Sequence, residues 1–369
     1  MKTFTPIDLS RLPPPAVIEA LDFEAVRAEM LADFKSRFPG FTADLESDPV
    51  VKLIETAAYR ELSLRQRINE AARAVMLATS NGTDLDHLAA LYGVQRLVVH
   101  PGDDLAVPPR LQVMEEDGRL RARTQLALEG FSTAGPVGAY IFHALSASAR
   151  IKDVSVVSPQ PGDVVVTVLS TNGDGTPAYR EAVSALEVEL AGDTVTVDGR
   201  AVKDLVVAEG SQIRTAGSDY SFDETNSRLE RRPGGAIAPN AKLTLSFTRA
   251  AELQLVEMAL THEDVRPLTD RVTVRAAEIM PYTVEAELWV HEGPDMEVVR
   301  QTAFDRLSQH LDELHRLGRD ITLSGLYAAL HQPGVQRVEL TEPATTLVLA
   351  PHQAGFKQSI TISVGGRDE

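Results

Sequence analysis

Apolar positions between residues 49 and 78 recur at steps of three and four, and this pattern predicts one long amphipathic helix. Asp48 can cap the helix, and Pro49 can fill its first position, where the missing N–H has no cost. Asn81 and Gly82 can end it in a left-handed conformation, before a shorter second helix. A helix of about 30 residues would be about 45 Å long.

The apolar positions of this helix form a seam, whose spacing is typical of helices that pack lengthwise on other helices. Only Glu61 interrupts it. Because the apolar surface exceeds what one small domain needs, we predict that the seam contacts another chain; packing inside its own domain is the alternative. The candidate interface residues are Val50, Ile54, Ala57, Leu64, Ile68, Ala71 and Val75.

The rest of the first half alternates between helix and strand patterns. Residues 1–20 are rich in proline and predict an extended segment, after which Asp22 can cap a helix over 22–38. Pro177 predicts the start of a helix that runs to about Leu190. Helices are also predicted over 119–128 and 139–149, and strands over 151–157 and 164–169.

Residues 192–250 differ in character, because short strand-like runs alternate with turns rich in Gly, Asp, Asn and Pro. We interpret this region as a β-rich insertion. After it, period-two alternation over 282–291 predicts a half-buried strand. Further helices are predicted from about Met296 to Leu317 and from about Leu323 to Leu330, and further strands near 335–340, 346–349 and 359–364.

These elements predict an α+β multidomain protein. An extended arm and a helical region with the long bundle-forming helix occupy residues 1–96. A middle α/β domain comprises 97–191 plus 251–275, and the β-rich module of 192–250 is inserted into it. Residues 276–369 form a C-terminal α+β unit.

Composition narrows the function. The chain has no cysteine, which excludes disulfides, thiolate chemistry and zinc sites built on sulfur. Its net charge of −17 disfavours binding to nucleic acid. No apolar run approaches the roughly 18 residues of a membrane helix, and the start lacks the apolar core of a secretory signal. We therefore expect a protein made in the cytoplasm that does not bind membranes.

Catalytic motifs are incomplete. Residues 130–135 are one residue too long for a G-x-S-x-G nucleophile elbow, and His262 and Glu263 lack the second histidine of H-E-x-x-H. Residues 172–175 read as a turn rather than a calcium loop, and Glu115 and Glu116 read as solvated. We predict no catalytic residues, no cofactor and no metal.

Five segments resemble, in order, the baseplate J-like wedge proteins of contractile phage tails and R-type bacteriocins. The family usually runs almost directly from the helix after the strand ending near Leu169 into the segment Arg-Pro-Leu-Thr-Asp, whereas residues 192–250 intervene here. The segments that carry the resemblance are 7–26, 49–78, 129–170, 263–274 and 317–343.

The resemblance implies a structural subunit of a tail baseplate in a virion or tailocin particle, assembled in the bacterial cytoplasm. Two copies of the chain and one second wedge protein, similar to tail protein I, would form a wedge through their N-terminal helices. Six wedges would form a ring through the C-terminal part, which would be a ring or dimerisation domain. The ring would contact the sheath initiator, the sheath and the central hub and spike, and tail fibres indirectly.

By this resemblance the activity is mechanical, because receptor binding would release the ring from the hub and start sheath contraction. Two alternatives remain. One is another adaptor protein of a tail or injection machine, and the other is an enzyme of unknown chemistry.

Overall fold

The computed structural model describes residues 7–367, apart from residues 8, 14, 42–44, 46, 103–107, 133–135, 198–200, 225 and 294. The chain forms two compact units. Unit 1 comprises Met1–Val98 and Val113–Leu128, and unit 2 comprises Val99–Gln112 and Glu129–Glu369. Helices and several small sheets occur together, which confirms the predicted α+β class. The division into four parts stays a prediction.

Unit 1 is built on α1 (Phe23–Arg37) and α2 (Pro49–Ala74), which pack against each other. The carboxylates of Asp22 and Asp48 accept hydrogen bonds from backbone N–H groups of the first helical turns, so both predicted caps are confirmed. The other elements of the chain up to residue 130 are a 3-10 turn (Leu9–Arg11), α3 (Gly82–Ala90), β1 (Val98–His100), β2 (Val113–Met114) and α4 (Asp117–Gly130).

Helix α2 is shorter than predicted. It ends at Ala74, and the Thr79 hydroxyl donates a 2.8 Å hydrogen bond to the Arg73 carbonyl, which satisfies one acceptor of the last turn. Gly82 has a positive φ of 55°, but with Asn81 it begins α3 instead of ending α2. The predicted stop signal at Asn81 and Gly82 therefore lies beyond Ala74, the last residue of α2.

In the part of the chain that the structure describes, unit 2 contains four sheets, which form three large apolar cores. Their strand orders are β12-β4-β3, β5-β11-β7-β8 with a neighbouring β6-β10-β9, and β14-β13-β15. In chain order its elements are α5 (Val137–Ala147), β3 (Ile151–Val157), β4 (Asp163–Ser170), β5 (Arg180–Glu189), β6 (Thr194–Thr196), β7 (Lys203–Glu209), β8 (Gln212–Arg214), β9 (Tyr220–Asp223), β10 (Arg228–Arg231), β11 (Lys242–Ala250), α6 (Glu252–Thr261), β12 (Arg271–Ala276), β13 (Glu278–Val290), α7 (Met296–Leu314), α8 (Leu323–Leu330), β14 (Val335–Glu342) and β15 (Gln353–Arg367).

The first of these sheets carries α5 and α6 on its core side. Strand β4 pairs antiparallel with β3 and parallel with β12. Alternate residues of β4 face the helices, because successive side chains of a strand point to opposite faces. The core consists of Tyr140, Ala144, Ile151, Val154, Val164, Val166, Val168, Val256 and Leu260.

The helix predicted from Pro177 to about Leu190 is wrong, because this segment is strand β5. Leu186 and Val188 pair with Leu245 and Leu243 of β11, and this cross-strand pairing outweighs the helix-forming Glu and Ala residues of the segment. The sheet of the β-rich region therefore extends to the N-terminal side of residue 192. Its core includes Leu190, Val197, Val202, Val207, Tyr220, Leu229, Ile237, Ala241, Leu243, Leu245 and Phe247.

Ion pairs connect the β-rich region to the neighbouring strand and helix. Arg150, next to β3, contacts Glu181 of β5 at 2.6 Å and Glu252 of α6 at 3.0 Å. Arg249 of β11 also binds Glu181. Both ends of the region are therefore held side by side, and Ala250 pairs with Arg180 across the ladder.

The C-terminal part of unit 2 packs α7 and α8 on one face of the β14-β13-β15 sheet. Strand β13 pairs antiparallel with β14 and parallel with β15. The strand predicted at 346–349 is wrong, because only an isolated bridge joins Leu347 to Ile321. The core is Tyr282, Val284, Ala286, Leu288, Val290, Val299, Ala303, Leu307, Leu311, Ile321, Leu326, Leu330, Val335 and Ile362.

Candidate protein interface

One side of α2 packs inside unit 1. Val51, Ala58 and Asn69 are buried on this side, and Arg27 of α1 contacts Glu55 at 3.4 Å. The Asn69 side-chain amide donates to the Glu19 carbonyl at 2.9 Å, and its oxygen accepts from Glu19 N–H at 3.1 Å. These contacts hold the segment that precedes α1 against α2 and fix which face of α2 points outward.

The predicted seam lies about 90° around the helix from this packed side. Leu64 is 62% exposed, Ile68 59% and Val75 70%, while Ala57 and Ala71 are also exposed. Val50 and Ile54 are half-buried. Five of the seven residues are therefore exposed. We call the row from Val50 to Ala71 the α2 seam; Val75 follows the last helical residue.

The sequence analysis missed Leu53, which is 69% exposed and lies on the seam side, one turn before Ala57. A strict alternation of steps of three and four residues skips Leu53. Its spacing of four residues from Ala57 is nevertheless typical of residues that share one helix face. Tyr59 is 65% exposed as well, but it projects from the other side of α2. Leu53 widens the seam at its N-terminal end.

Glu61, the charged residue within the seam, forms an ion pair with Arg65 one turn further along the helix. The Arg65 Nη2 atom lies 2.5 Å from Glu61 Oε1, and Nε donates to the same oxygen at 2.9 Å. The hydrogen bond to Glu61 raises the pKa of Arg65. The carboxylate of Glu61 is therefore paired within its own helix.

A buried ion cluster fixes the elements after α2. Glu115, predicted to be solvated, is instead completely buried: its carboxylate lies 2.5 Å from Arg123 Nη1 and 3.3 Å from Arg119 Nε. It also accepts from Leu97 N–H at 3.1 Å. Burial lowers the pKa of Arg119 to about 10 and also lowers the pKa of Arg123. The cluster ties the segment before β1 to α4.

The residues considered for catalysis are not brought together. His262 is exposed, and its Nδ1 atom lies 3.5 Å from a carboxylate oxygen of Asp264. Residues 172–175 form a turn closed by a 2.9 Å hydrogen bond from Gly175 N–H to the Asn172 carbonyl. Among the described residues, no three His, Asp or Glu side chains are placed to hold a metal ion. Residues 133–135 of the glycine-rich link lie outside the described residues.

No helix in the described part of the chain is long and apolar enough to cross a membrane. Helix α2 of unit 1 is capped at its N-terminus and has one packed face and one exposed apolar face.

A family model, the baseplate J-like N-terminal domain, matches residues 46–103, and this match contains all of α2 and α3. The chain belongs to the baseplate J-like family. It is 40% identical over 370 residues to baseplate protein J of Escherichia phage P2, and the alignment covers 98% of this chain and 99% of that protein.

Proposed function

We propose that the chain is a structural wedge subunit of a contractile-tail baseplate and that the α2 seam joins it to other wedge chains. The observation that carries the proposal is the exposed apolar row from Leu53 to Ala71 on a helix whose other side is already packed. This row also lies inside the segment that the family model matches.

The size of the apolar row suits a stable but reversible contact. Full burial of a Leu or Ile side chain contributes about 1.5–3 kcal/mol, so Leu53, Leu64 and Ile68 together can offset much of the entropy lost on association. Ala57 and Ala71 are small and let a partner helix come close. A bundle of three helices would bury this row on every member.

Two copies of this chain and one second wedge protein would form each wedge, and six wedges would surround the hub and spike. The ring would also contact the sheath and its initiator, with tail fibres acting indirectly. The role is mechanical: receptor binding shifts wedge contacts, and the sheath then contracts. Such transitions need interfaces that exist in two packed arrangements, which several modest contacts provide better than one very large contact.

The test is co-expression of the full chain with the second wedge protein, followed by affinity capture and mass measurement. Ile68→Asp places an unpaired charge in the seam, at a cost of several kcal/mol when buried. We expect this variant to fold and to lose the complex. Ser63→Asp, on the opposite side of α2, is the matched control and should bind as the wild type does. Normal complex formation by folded Ile68→Asp would disprove the role of the seam.

A further inference from the structure

Strand β15 is an open edge of the C-terminal sheet. It pairs with β13 along its length, and Leu317 bridges to Ala354 at its start. Beyond that bridge, no strand in the described part of the chain pairs with its other edge. An open edge presents unpaired N–H and C=O groups, to which another strand can add.

The two edges of this sheet differ in chemistry. Strand β14, the opposite edge, carries Arg337, Glu339 and Glu342, and Pro343 follows it. Charges and proline are the usual means by which proteins prevent strand addition. Residues 358–366 of β15 contain neither. The protected edge and the unprotected edge thus lie on either side of the same central strand.

The side chains of β15 alternate regularly between two irregularities of the ladder. Residues 359–364 pair without interruption with residues 283–288, between register shifts at each end. Thr361 and Ser363 are exposed, whereas Ile362 is buried in the core. Ile360 and Val364, on the same face as Ile362, are only half-buried.

We propose that β15 pairs antiparallel with β15 of a second copy of this chain, with Thr361 on the twofold axis. The argument for a second copy is the palindrome Ser-Ile-Thr-Ile-Ser at residues 359–363. In this register Ser359 faces Ser363, and Ile360 faces Ile362, so polar and apolar faces match on both sides. A twofold contact requires this kind of self-complementarity.

Side-chain charge and polarity favour this register over the registers shifted by one residue in either direction. Centring the pair on Ile362 would place Lys357 directly opposite Arg367, and like charges in that position are destabilising. Centring it on Ile360 would place Gln358, at the register shift, opposite the buried Ile362. With Thr361 at the centre, both cations face glycines, and Gln358 faces the half-buried Val364 instead of the buried Ile362.

The net charge of −17 does not prevent this pairing. The nearest acidic row is Glu285 and Glu287 on β13, opposite Thr361 and Ser363 of β15. In the paired sheet the two β13 strands would be separated by three strand spacings, about 14 Å. This exceeds the Debye length of about 8 Å at physiological salt, so the repulsion is largely screened. The interface is separate from α2 and depends on the proposed function only for the presence of a second copy in the wedge.

The first test uses the absence of cysteine from the chain, because a single introduced thiol can then pair only with its own copy. Opposed Cα atoms in an antiparallel pair are about 4.5–5.5 Å apart, which a disulfide spans. We expect full-length Thr361→Cys to form a disulfide-linked dimer under mild oxidation. Thr341→Cys, exposed on the charged strand β14, is the control and should stay monomeric on a denaturing gel. Equal cross-linking of both variants, or none at position 361, would overturn the proposal.

The second test is sedimentation of full-length Thr361→Lys beside Thr341→Lys. Two lysines would oppose each other on the axis, so we expect the dimer dissociation constant to rise about tenfold or more for the first variant only. Tryptophan fluorescence of Trp289 checks folding. Capture by the second wedge protein should persist in Thr361→Lys and fail in Ile68→Asp, which separates the two interfaces. An unchanged dissociation constant in folded Thr361→Lys would overturn the β15 pairing alone.

Discussion

Unit 1 and unit 2 distribute their apolar side chains differently. Three large clusters of buried apolar residues lie in unit 2, one for each sheet region. Unit 1 is much smaller yet leaves many large apolar side chains in solvent. They include Ile7, Leu12, Val17, Phe38, Leu45, Leu53, Tyr59, Leu64, Ile68, Val75 and Leu91.

The difference indicates how each unit obtains its stability. Unit 2 buries its strand residues within its own sheets and, in two of the three regions, against helices. Unit 1 combines the α1–α2 pair, the hydrogen bonds of Asn69 to the Glu19 backbone and the buried ion cluster at Glu115 with fewer buried apolar residues. These buried residues include Leu85, Ala89, Val94, Leu120, Leu126 and Ala127. Extended exposed apolar patches often mark interaction surfaces. Under the proposed function, unit 1 is the part whose burial assembly would complete.

The largest expected effect concerns the ion cluster of unit 1. Arg123→Met removes the closest partner of the buried Glu115, and we expect a loss of about 3–4 kcal/mol in unfolding free energy, because a buried carboxylate loses its main counter-charge. Helical circular dichroism during heating measures the change. Arg60→Met, exposed on α2, is the control and should melt as the wild type does.

Trp289 is the only tryptophan, and it lies in unit 2. Its fluorescence should therefore keep the wild-type unfolding transition in Arg123→Met. A wild-type melt by circular dichroism would show that the cluster does not hold unit 1, and the contrast between the units would then need another basis.

Sequence reasoning identified the α+β class, the caps of α1 and α2 and most C-terminal elements, because these depend on local signals. It failed where the structure of a segment depends on contacts with residues that are distant in the sequence. The segment before Leu190 has good helix formers but becomes β5 through pairing with β11. Glu115 reads as a solvated turn residue, and only the fold brings Arg123 and the Leu97 N–H to it.

The α2 seam was predictable in the same local sense. Val50, Ile54, Ala57, Leu64 and Ile68 share one face because helical spacing requires it. Which face α1 would cover could not be read from the pattern, since Val51, Ala58 and Asn69 follow a similar spacing one position later. The β15 edge depends equally on tertiary structure, because its openness follows from the strand order.

A smaller effect, on unit 2, is expected from pH. Burial, together with the charge of Lys152, lowers the pKa of His315 from 6.5 to about 4, while Asp312 and Asp174 oppose the shift. Protons then prefer the unfolded chain, so this stability is fully present above pH 6.5 and is lost as pH falls toward 4. Between pH 7.5 and pH 5 we expect a loss of roughly 2 kcal/mol, at about 1.4 kcal/mol per pH unit below 6.5.

Urea unfolding followed by Trp289 fluorescence at several pH values measures this loss. The His315 ring packs edge-on against Phe356, with ring centres 5.6 Å apart, so His315→Leu keeps an apolar contact there. Between pH 7.5 and pH 5, this variant should lose less unfolding free energy than the wild type, by the amount assigned to His315. If both proteins lost equal stability over this range, the neutral, buried state assigned to His315 would be incorrect.

The smallest expected effect is on the seam itself, and it bears most directly on the comparison. Ile68→Ala removes a side chain that is already 59% exposed, so little burial is lost in the isolated protein and we expect a change below about 0.5 kcal/mol. Val51→Ala on the same helix removes a side chain that is only 2% exposed and should destabilise unit 1 by about 1–2 kcal/mol. Thermal melts by circular dichroism compare the two variants. Because the proposed wedge contact would bury Ile68, the order should reverse in the complex, and Ile68→Ala should weaken capture of the second wedge protein more than Val51→Ala does. Equal destabilisation of the isolated chain by both variants would mean that Ile68 already packs within unit 1, and the open face of α2 would then not distinguish the two units.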